Sequence, residues 1–183
     1  NLLDFSRMEA SRKQYRFEPL NTAAWLNSVA ADFRMEAMRS GYELQTQIPG
    51  DLPSISGDRE ALTTAVRNLL DNACKYSPES KSVWLNAEAA GGGVRVHVRD
   101  QGIGIPDSEL RQVFERFYRG GKLANRVKGV GLGLNLVQHI VAAHGGSVSL
   151  ASKEGKGKTF TIHPAKRKRD RAQPQEKNAR NPA

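Results

Sequence analysis

The sequence has a single cysteine, few aromatic residues and no long apolar run. Because Cys74 is the only cysteine among 183 residues, no internal disulfide is possible and nothing indicates an oxidising compartment. No apolar run approaches the roughly 20 residues of a membrane-spanning helix, and no signal-peptide pattern begins at Asn1. The apolar fraction of 38% and the aromatic fraction of 7% are typical of an ordinary globular domain.

Acidic residues are fewer than basic ones, but this imbalance is concentrated at one end of the chain. The net charge is +9, and residues 164–183, with seven basic and two acidic side chains, account for +5 of it. Because the rest is nearly balanced, the charge does not indicate a basic binding face, and we expect no nucleic acid as a partner. The same residues are almost devoid of apolar side chains, so they are predicted to form a disordered basic tail.

Apolar periodicity predicts helices that alternate loosely with strands. An amphipathic helix is predicted from Asn21 to about Arg39, and another follows Asp58, its expected N-cap, and stops at Ser77-Pro78. Shorter helices are predicted at 107–117 and 132–144, and strands at 15–18, 42–48, 83–89, 94–100, 148–151 and 159–163. This order predicts an α/β fold, a two-layer sandwich of a mixed β-sheet covered on one face by helices.

The predicted organisation has three parts. Residues 1–12 have a helical pattern with no capping residue before it, so residues 1–14 are expected to be the end of a truncated helix. Residues 15–163 form the predicted domain, and residues 164–183 form the tail.

The helix after Asp58 carries the polar residues around which the site is predicted. Asn68 and Asn72 are four positions apart and therefore lie on one face, with Lys75 and Tyr76 just beyond them. Two carboxamides, an ammonium and a phenol on one face are able to hold a metal and a polyanion. Taken alone, a solvated polar face is the commoner explanation of such a pattern.

A carboxylate and two glycines follow a predicted strand. The run Asp100-x-Gly102-x-Gly104 offers an acceptor for an exocyclic amine such as that of adenine, and its glycines let the backbone approach a flat ligand. Ordinary turn chemistry also explains the run when it is considered alone.

Three further glycines, Gly129, Gly131 and Gly133, lead directly into a predicted helix, whose free N–H groups and dipole form an anion site. The preceding segment is a long basic loop instead of a strand, which excludes the dinucleotide-binding fingerprint. No Gly-Lys-Ser/Thr follows, which excludes a P-loop. A last glycine pair, Gly155 and Gly157, lies at the turn of the final hairpin.

Together, the order and spacing of these segments resemble the ATP-binding catalytic domain of bacterial sensor histidine kinases, within the superfamily shared with gyrase and Hsp90-type chaperones. The matching segments are the N box at 68–76, the G1 box at 100–104, the F box at 114–117, the G2 box at 129–133 and the glycine–threonine element at 157–159. The resemblance covers roughly residues 17–163 and implies the Bergerat ATP-binding fold. It also implies that residues 1–12 are the end of a dimerisation helix.

The resemblance implies a role for each matched residue. Asn72 would coordinate Mg²⁺, Asn68 would support metal-bound waters or phosphates, and Lys75 would hold phosphate charge. Tyr76 would pack along the adenine, and Asp100 would accept a hydrogen bond from its amine.

The glycines have implied roles of a different kind. Gly102 and Gly104 would admit the base, while the loop of the G2 box would fold over the triphosphate. Arg116 and Arg119 are the expected cations for the γ-phosphate. The remaining implied nucleotide-binding residues are Gly129, Gly131, Leu132, Gly133 and Thr159. Val130 stands where the family often has Thr or Ser, so a hydroxyl contact to phosphate is not expected there.

The implied function is binding of Mg-ATP and transfer of its γ-phosphate to a histidine on a dimerisation helix, in two-component signal transduction. No histidine precedes His97, so the acceptor is expected upstream of this chain. The implied partners are the protein's own dimerisation domain and a response regulator, in a homodimeric parent protein, and the implied location is cytoplasmic, whether or not the parent protein is anchored in a membrane.

Two alternatives stay open. The first is an ATP hydrolase of the same superfamily, in which a Glu at the position of Asn68 activates water. An amide has no proton-accepting capacity near neutral pH, so Asn68 argues against it. The second is an inactive nucleotide-binding adaptor module, against which the intact motif positions argue.

Overall fold

The chain folds around a mixed β-sheet with helices packed on one face. A computed structural model describes residues 14–118 and 131–164. In chain order the elements are β1 Glu18–Leu20, α1 Thr22–Arg39, β2 Glu43–Gln47, β3 Ile55–Gly57, α2 Arg59–Lys75, β4 Ser82–Ala90, β5 Gly93–Asp100, the 3₁₀ turns Asp107–Glu109 and Gln112–Phe114, α3 Gly133–Ala143, β6 Ser147–Lys153 and β7 Gly157–His163.

Within residues 14–118 and 131–164, the main sheet has five strands in the order β2-β4-β5-β7-β6. Among these five strands β2 and β4 pair in parallel, and the other neighbours are antiparallel. Strands β1 and β3 form a separate antiparallel pair. Alternate residues of β4 and β5 are buried, including Val83, Leu85, Val96 and Val98, which is the pattern of a sheet with one covered face. The predicted two-layer α/β sandwich is confirmed.

Helix α2, which carries the polar residues of the predicted site, is fixed at its start and along one face. The Asp58 side chain accepts a hydrogen bond from the Ala61 amide at 2.9 Å, so the predicted N-cap is confirmed. Its apolar stripe is completely buried, with Val66, Leu69 and Leu70 each 0% exposed. The opposite face is therefore free to line a site.

Three features differ from the predictions. The first strand lies at Glu18–Leu20 instead of 15–18, and its partner β3 had no clear sequence signal. The predicted helix at 107–117 is instead two 3₁₀ turns. Glu115 is extended and Phe117 has a φ of +61°, so a continuous helix cannot form.

Within the described residues, no helix is both long enough and apolar enough to cross a membrane. The predicted helix end at 1–12 and nearly all of the predicted tail lie outside the described residues, so the boundaries of the three parts stay predictions.

Candidate functional site

A cleft opens where α2 ends, beside the turn that follows β5. Three of the predicted site residues line it, namely Asn72, Tyr76 and Gly104. The first turn of α3 contributes Leu134 to the wall, and β7 contributes Lys158. The cleft therefore brings together residues from the N box, the G1 box and the last hairpin, which are far apart in the sequence.

The two asparagines of α2 differ in how their side chains are held. Asn68 Nδ2 donates a hydrogen bond to the Thr64 carbonyl at 2.8 Å, within the same helix. The Asn68 Oδ1 atom faces the start of α3, because a Cβ added to Gly133 would lie 3.0 Å from it. The Asn68 side chain therefore lies beside Gly133 at the start of α3, as the order of the motifs predicts.

Asn72 Oδ1 is buried and has no hydrogen-bond partner among the described residues. A buried amide oxygen normally has a donor, a water or a cation beside it. No group of three or more His, Cys, Asp or Glu side chains able to hold a metal occurs in the described parts of the chain. The unpartnered amide oxygen of Asn72 fits Mg²⁺, which binds through few protein oxygens and completes its shell with water and phosphate.

Asp100 ends β5 and is 2% exposed. Its Oδ1 accepts a hydrogen bond from the Gly102 amide at 2.9 Å, so the carboxylate shapes the G1 turn. Its Oδ2 lies 3.0 Å from Lys158 Nζ, across the antiparallel register that pairs the two residues. Both side chains are almost completely buried, at 1% and 2% exposure.

Lys158 is a charged residue of the cleft wall that the sequence analysis does not predict, because the resemblance points to Thr159 next to it. The Lys158 Nζ atom lies 5.0 Å from the centre of the Tyr76 ring. Burial lowers the pKa of Lys158, and the Asp100 carboxylate opposes this shift. A signal was present in the sequence, since Lys158 is two positions before the core residue Phe160 and therefore shares its face of the strand.

Thr159 is half-buried on β7, where it pairs with Arg99 and Ala151 of the neighbouring strands. By strand alternation it lies on the opposite face from Lys158. It is not among the residues that line the cleft.

The glycines of the G1 turn are needed for close packing. A Cβ on Gly102 would lie 2.0 Å from the Tyr76 carbonyl oxygen, which accepts a hydrogen bond from the Ile103 amide at 3.1 Å. Gly104 has a φ of +66°, and a Cβ there would lie 2.1 Å from the Lys153 carbonyl oxygen. The turn is therefore clamped between the end of α2 and the last hairpin.

The start of α3 offers backbone donors. Leu132 is its N-cap, and no side chain caps the helix there. Leu132 is 4% exposed, so its side chain packs inside while the helix start adjoins Asn68. Uncapped N–H groups at the start of a helix form an anion site when a ligand reaches them.

The predicted phosphate cations lie at the surface or beyond the described residues. Lys75 is exposed in the last turn of α2, and Arg116 is exposed after the second 3₁₀ turn. Arg119 and Gly129 lie outside the described residues. Gly131 is described, with a φ of +76°, and its carbonyl accepts a hydrogen bond from the Phe117 amide at 3.0 Å.

Two other titratable residues have structural roles. His144 Nε2 accepts a hydrogen bond from the Asp58 amide at 3.0 Å, and its Nδ1 donates to the Ile140 carbonyl at 2.7 Å, so it joins the end of α3 to the start of α2. Burial, with nearby carboxylates adding to it, raises the pKa of Cys74 to about 12. The thiol is therefore protonated at neutral pH and is not a nucleophile.

Comparison with known proteins identifies the family of this chain. A family model described as "Histidine kinase-, DNA gyrase B-, and HSP90-like ATPase" matches residues 57–168. The chain belongs to this family. It is 33% identical over 162 residues to the sensor-like histidine kinase SenX3 of Mycobacterium tuberculosis, covering 88% of this chain and 39% of that protein. It is 32% identical to the sensor histidine kinase WalK of Bacillus subtilis, covering 88% of this chain and 27% of WalK.

Solved structures agree with these relatives. Full-length ShkA in complex with AMPPNP has a TM-score of 0.76 and 31% identity, covering 89% of this chain and 34% of that one. The mycobacterial sensor histidine kinase MprB has a TM-score of 0.67 and 31% identity, covering 80% of this chain and 95% of that one. The chain thus spans less than half the length of the curated relatives named above. The family and the AMPPNP complex support ATP as the ligand of this fold.

Proposed function

We propose that this chain is the catalytic domain of a sensor histidine kinase, which binds Mg-ATP and transfers the γ-phosphate to a histidine on a dimerisation helix elsewhere in the parent protein. The observation that carries the proposal is Asn72 Oδ1, a buried acceptor on the cleft wall without a hydrogen-bond partner in the described residues. It lies one helical turn from Asn68, which adjoins the uncapped start of α3.

The cleft divides into two ends under this proposal. The base end consists of Tyr76, Asp100, Gly102, Gly104 and Lys158. Tyr76 packs along the adenine ring, and the two glycines shape this end of the cleft by letting the turn pack against the Tyr76 and Lys153 carbonyls instead of leaving space for the base. Asp100 supplies the negative charge that favours an amine-bearing base, because a carboxylate only accepts hydrogen bonds.

The phosphate end consists of Asn68, Asn72, Lys75 and the start of α3. Asn72 Oδ1 would hold Mg²⁺, whose charge would stabilise the transferring phosphoryl group. Asn68 Oδ1 would support the metal-bound waters or a phosphate oxygen, and Lys75 adds positive charge at the edge. The N–H groups of α3 bind phosphate oxygens through the helix dipole.

Arg116 and Arg119 are the proposed cations for the γ-phosphate. The glycines of the G2 box would let the backbone approach the triphosphate; they are Gly129, Gly131 and Gly133. These roles follow the family pattern. Phosphoryl transfer depends mainly on positioning and charge neutralisation, so such cations act without forming covalent bonds.

Transfer to a histidine is favoured over hydrolysis by the chemistry of Asn68. A carboxamide does not accept a proton near neutral pH, so it cannot activate water as a base. Its amide nitrogen is already hydrogen-bonded within α2. Water bound near the γ-phosphate is therefore a poor nucleophile in this cleft.

The proposed partners follow from the same function. The acceptor histidine belongs to a dimerisation domain of the parent protein, the phosphoryl group passes to a response regulator, and the parent protein is a homodimer. The domain works in the cytoplasm. The relatives that support these proposals are themselves named sensor histidine kinases.

Phosphotransfer in trans tests the proposal. The 183-residue chain, mixed with the dimerisation segment of its own parent protein, Mg²⁺ and γ-labelled ATP, should label that segment slowly, because separate chains lack the effective concentration of a covalent linkage. The label should be acid-labile and base-stable, as a phosphoramidate is. Acid-stable label, or rapid ATP hydrolysis by the chain alone that Asn68→Ala abolishes, would contradict it.

A further inference from the structure

Lys158 lies at the bottom of the cleft, between its opening and Asp100. The lysine is among the residues that line the cleft, whereas Asp100 is not. The side chains are 2% and 1% exposed, and their charged atoms are 3.0 Å apart. The wall of the cleft therefore includes a buried ammonium directly beside the predicted carboxylate, as well as the carboxylate of Glu109.

The Lys158 ammonium has more donors than acceptors around it. An ammonium carries three N–H donors. The Asp100 carboxylate satisfies one at most, and no hydrogen-bond acceptor for the others occurs among the described residues. Buried donors without acceptors are costly, and burial accordingly lowers the pKa of this lysine. A ligand acceptor at the bottom of the cleft would satisfy them.

The lysine is held in one position by the fold. The register between β5 and β7 pairs it with Asp100, and the Tyr76 ring lies 5.0 Å from its nitrogen. A long flexible side chain is thereby fixed by a strand, a counter-charge and an aromatic face. A donor fixed in this way discriminates between ligands that have and lack an acceptor at that point.

We propose that Lys158 is a specificity-determining residue that donates a hydrogen bond to the N1 atom of adenine, with Asp100 acting as its positioning residue. N1 is an acceptor on the same edge of the base as the 6-amine. The proposal deepens the function proposed above and rests on it, because it assigns the base end of the same site.

Binding of ATP and 1-deaza-ATP, in which a C–H replaces N1, tests this role. Isothermal calorimetry with the 183-residue chain and Mg²⁺ gives the affinity ratio of the two nucleotides for each variant. The unmutated chain should prefer ATP by roughly tenfold or more, as expected for a hydrogen bond to a charged donor. Lys158→Met, which keeps the length without the donor, should reduce the ratio to about 1.

Two further variants complete the design. Lys156→Met removes an exposed lysine from the same hairpin turn and should keep the ratio of the unmutated chain. Lys158→Gln keeps an N–H donor without the charge and should retain part of the preference, which separates donor loss from poor folding. Both nucleotides are measured on the same variant. A general loss of stability therefore lowers both affinities and leaves their ratio unchanged.

An equal ratio in the unmutated chain and in Lys158→Met would overturn the inference while leaving the proposed function intact. A ratio near 1 in the unmutated chain would overturn it in the same way. Failure of the unmutated chain to bind ATP at all would overturn both the inference and the proposed function.

Discussion

The base end and the phosphate end of the cleft differ in how their charged and polar groups are held. At the base end, Asp100 and Lys158 are buried and fixed by two paired strands. At the phosphate end, Lys75 is exposed and Asn72 Oδ1 has no hydrogen-bond partner among the described residues. Each end therefore has a buried polar atom left for a ligand, but at the base end the fold itself supplies a counter-charge, whereas at the phosphate end we propose that metal and phosphate complete the site.

This difference has an energetic consequence. Changes at the base end should alter the stability of the domain as well as its affinity, because they disturb buried contacts. Removal of the exposed Lys75 side chain at the phosphate end should alter affinity with little effect on stability, because exposed charges contribute little to folding. The predictions below test this contrast in order of decreasing effect.

Gly102→Ala should have the largest effect. The added Cβ would lie 2.0 Å from the Tyr76 carbonyl oxygen, which is backbone and cannot move aside without disturbing the end of α2. We expect about 1–3 kcal/mol of destabilisation, together with loss of ATP binding. Thermal unfolding and calorimetry check both effects.

Gly50→Ala is the matched control, because a Cβ there has no atom within 4 Å. It should leave both the melting temperature and the affinity nearly unchanged. A Gly102→Ala variant as stable and as active in binding as this control would refute the clamped G1 turn.

Asp100→Asn should weaken ATP binding roughly tenfold or more, since hydrogen bonds to charged groups are worth about 1.5–3 kcal/mol. The substitution keeps the shape but removes the counter-charge of the buried Lys158, so the domain should also lose stability. Asp51→Asn, at an exposed turn, is the control and should change neither quantity. Unchanged affinity and stability in Asp100→Asn would show that the ion pair is unimportant.

Lys75→Ala should weaken ATP binding only several-fold, because an exposed charge is screened by water and salt. Adenosine, which lacks phosphate, should bind as before, and the melting temperature should not change. The effect on ATP should shrink at high salt. Arg59→Ala, at the opposite end of the same helix, is the control. It removes a positive charge far from the cleft and should leave ATP affinity unchanged. An equal loss of ATP affinity in both variants would contradict a local role for Lys75.

Ionisation of the Cys74 thiol should have the smallest effect on the domain. Burial raises its thiol pKa from 9.0 to about 12, so alkylation of the folded chain between pH 7 and 9 should be far slower than that of the unfolded chain. The folded state keeps the proton that the unfolded thiol loses, so this group lowers stability as pH rises from 9 towards 12. It contributes nothing at pH 7, where both states are protonated. Equal alkylation rates in the folded and unfolded states would contradict the shift.

The sequence predicts best those features that depend on local chemistry. The cap at Asp58, the buried stripe of α2 and the hairpin of β4 and β5 depend on spacing and turn residues, and all are confirmed. The parallel pairing of β2 with β4 and the pairing of β1 with β3 depend on contacts between distant segments, which periodicity does not encode.

The site shows the same division. The polar face of α2 follows from local spacing. Gly102 is expected from the sequence to admit a flat ligand, but it packs against the Tyr76 carbonyl, which is a contact between distant segments. Lys158 was missed because its role depends on the register that places it opposite Asp100, and a lysine directly after a glycine turn also suits a solvated position. Charged residues in phase with core positions of a strand are therefore worth testing as site residues.

The dependence of nucleotide affinity on Mg²⁺ tests the central claim most directly. Calorimetry of the unmutated chain with ATP and with adenosine, each in Mg²⁺ and in EDTA, separates the two ends of the cleft. We predict that Mg²⁺ strengthens ATP binding but not adenosine binding, and that Asn72→Ala abolishes the difference for ATP. Equal affinity for ATP with and without Mg²⁺ in the unmutated chain would contradict the assignment of Asn72 and of the phosphate end.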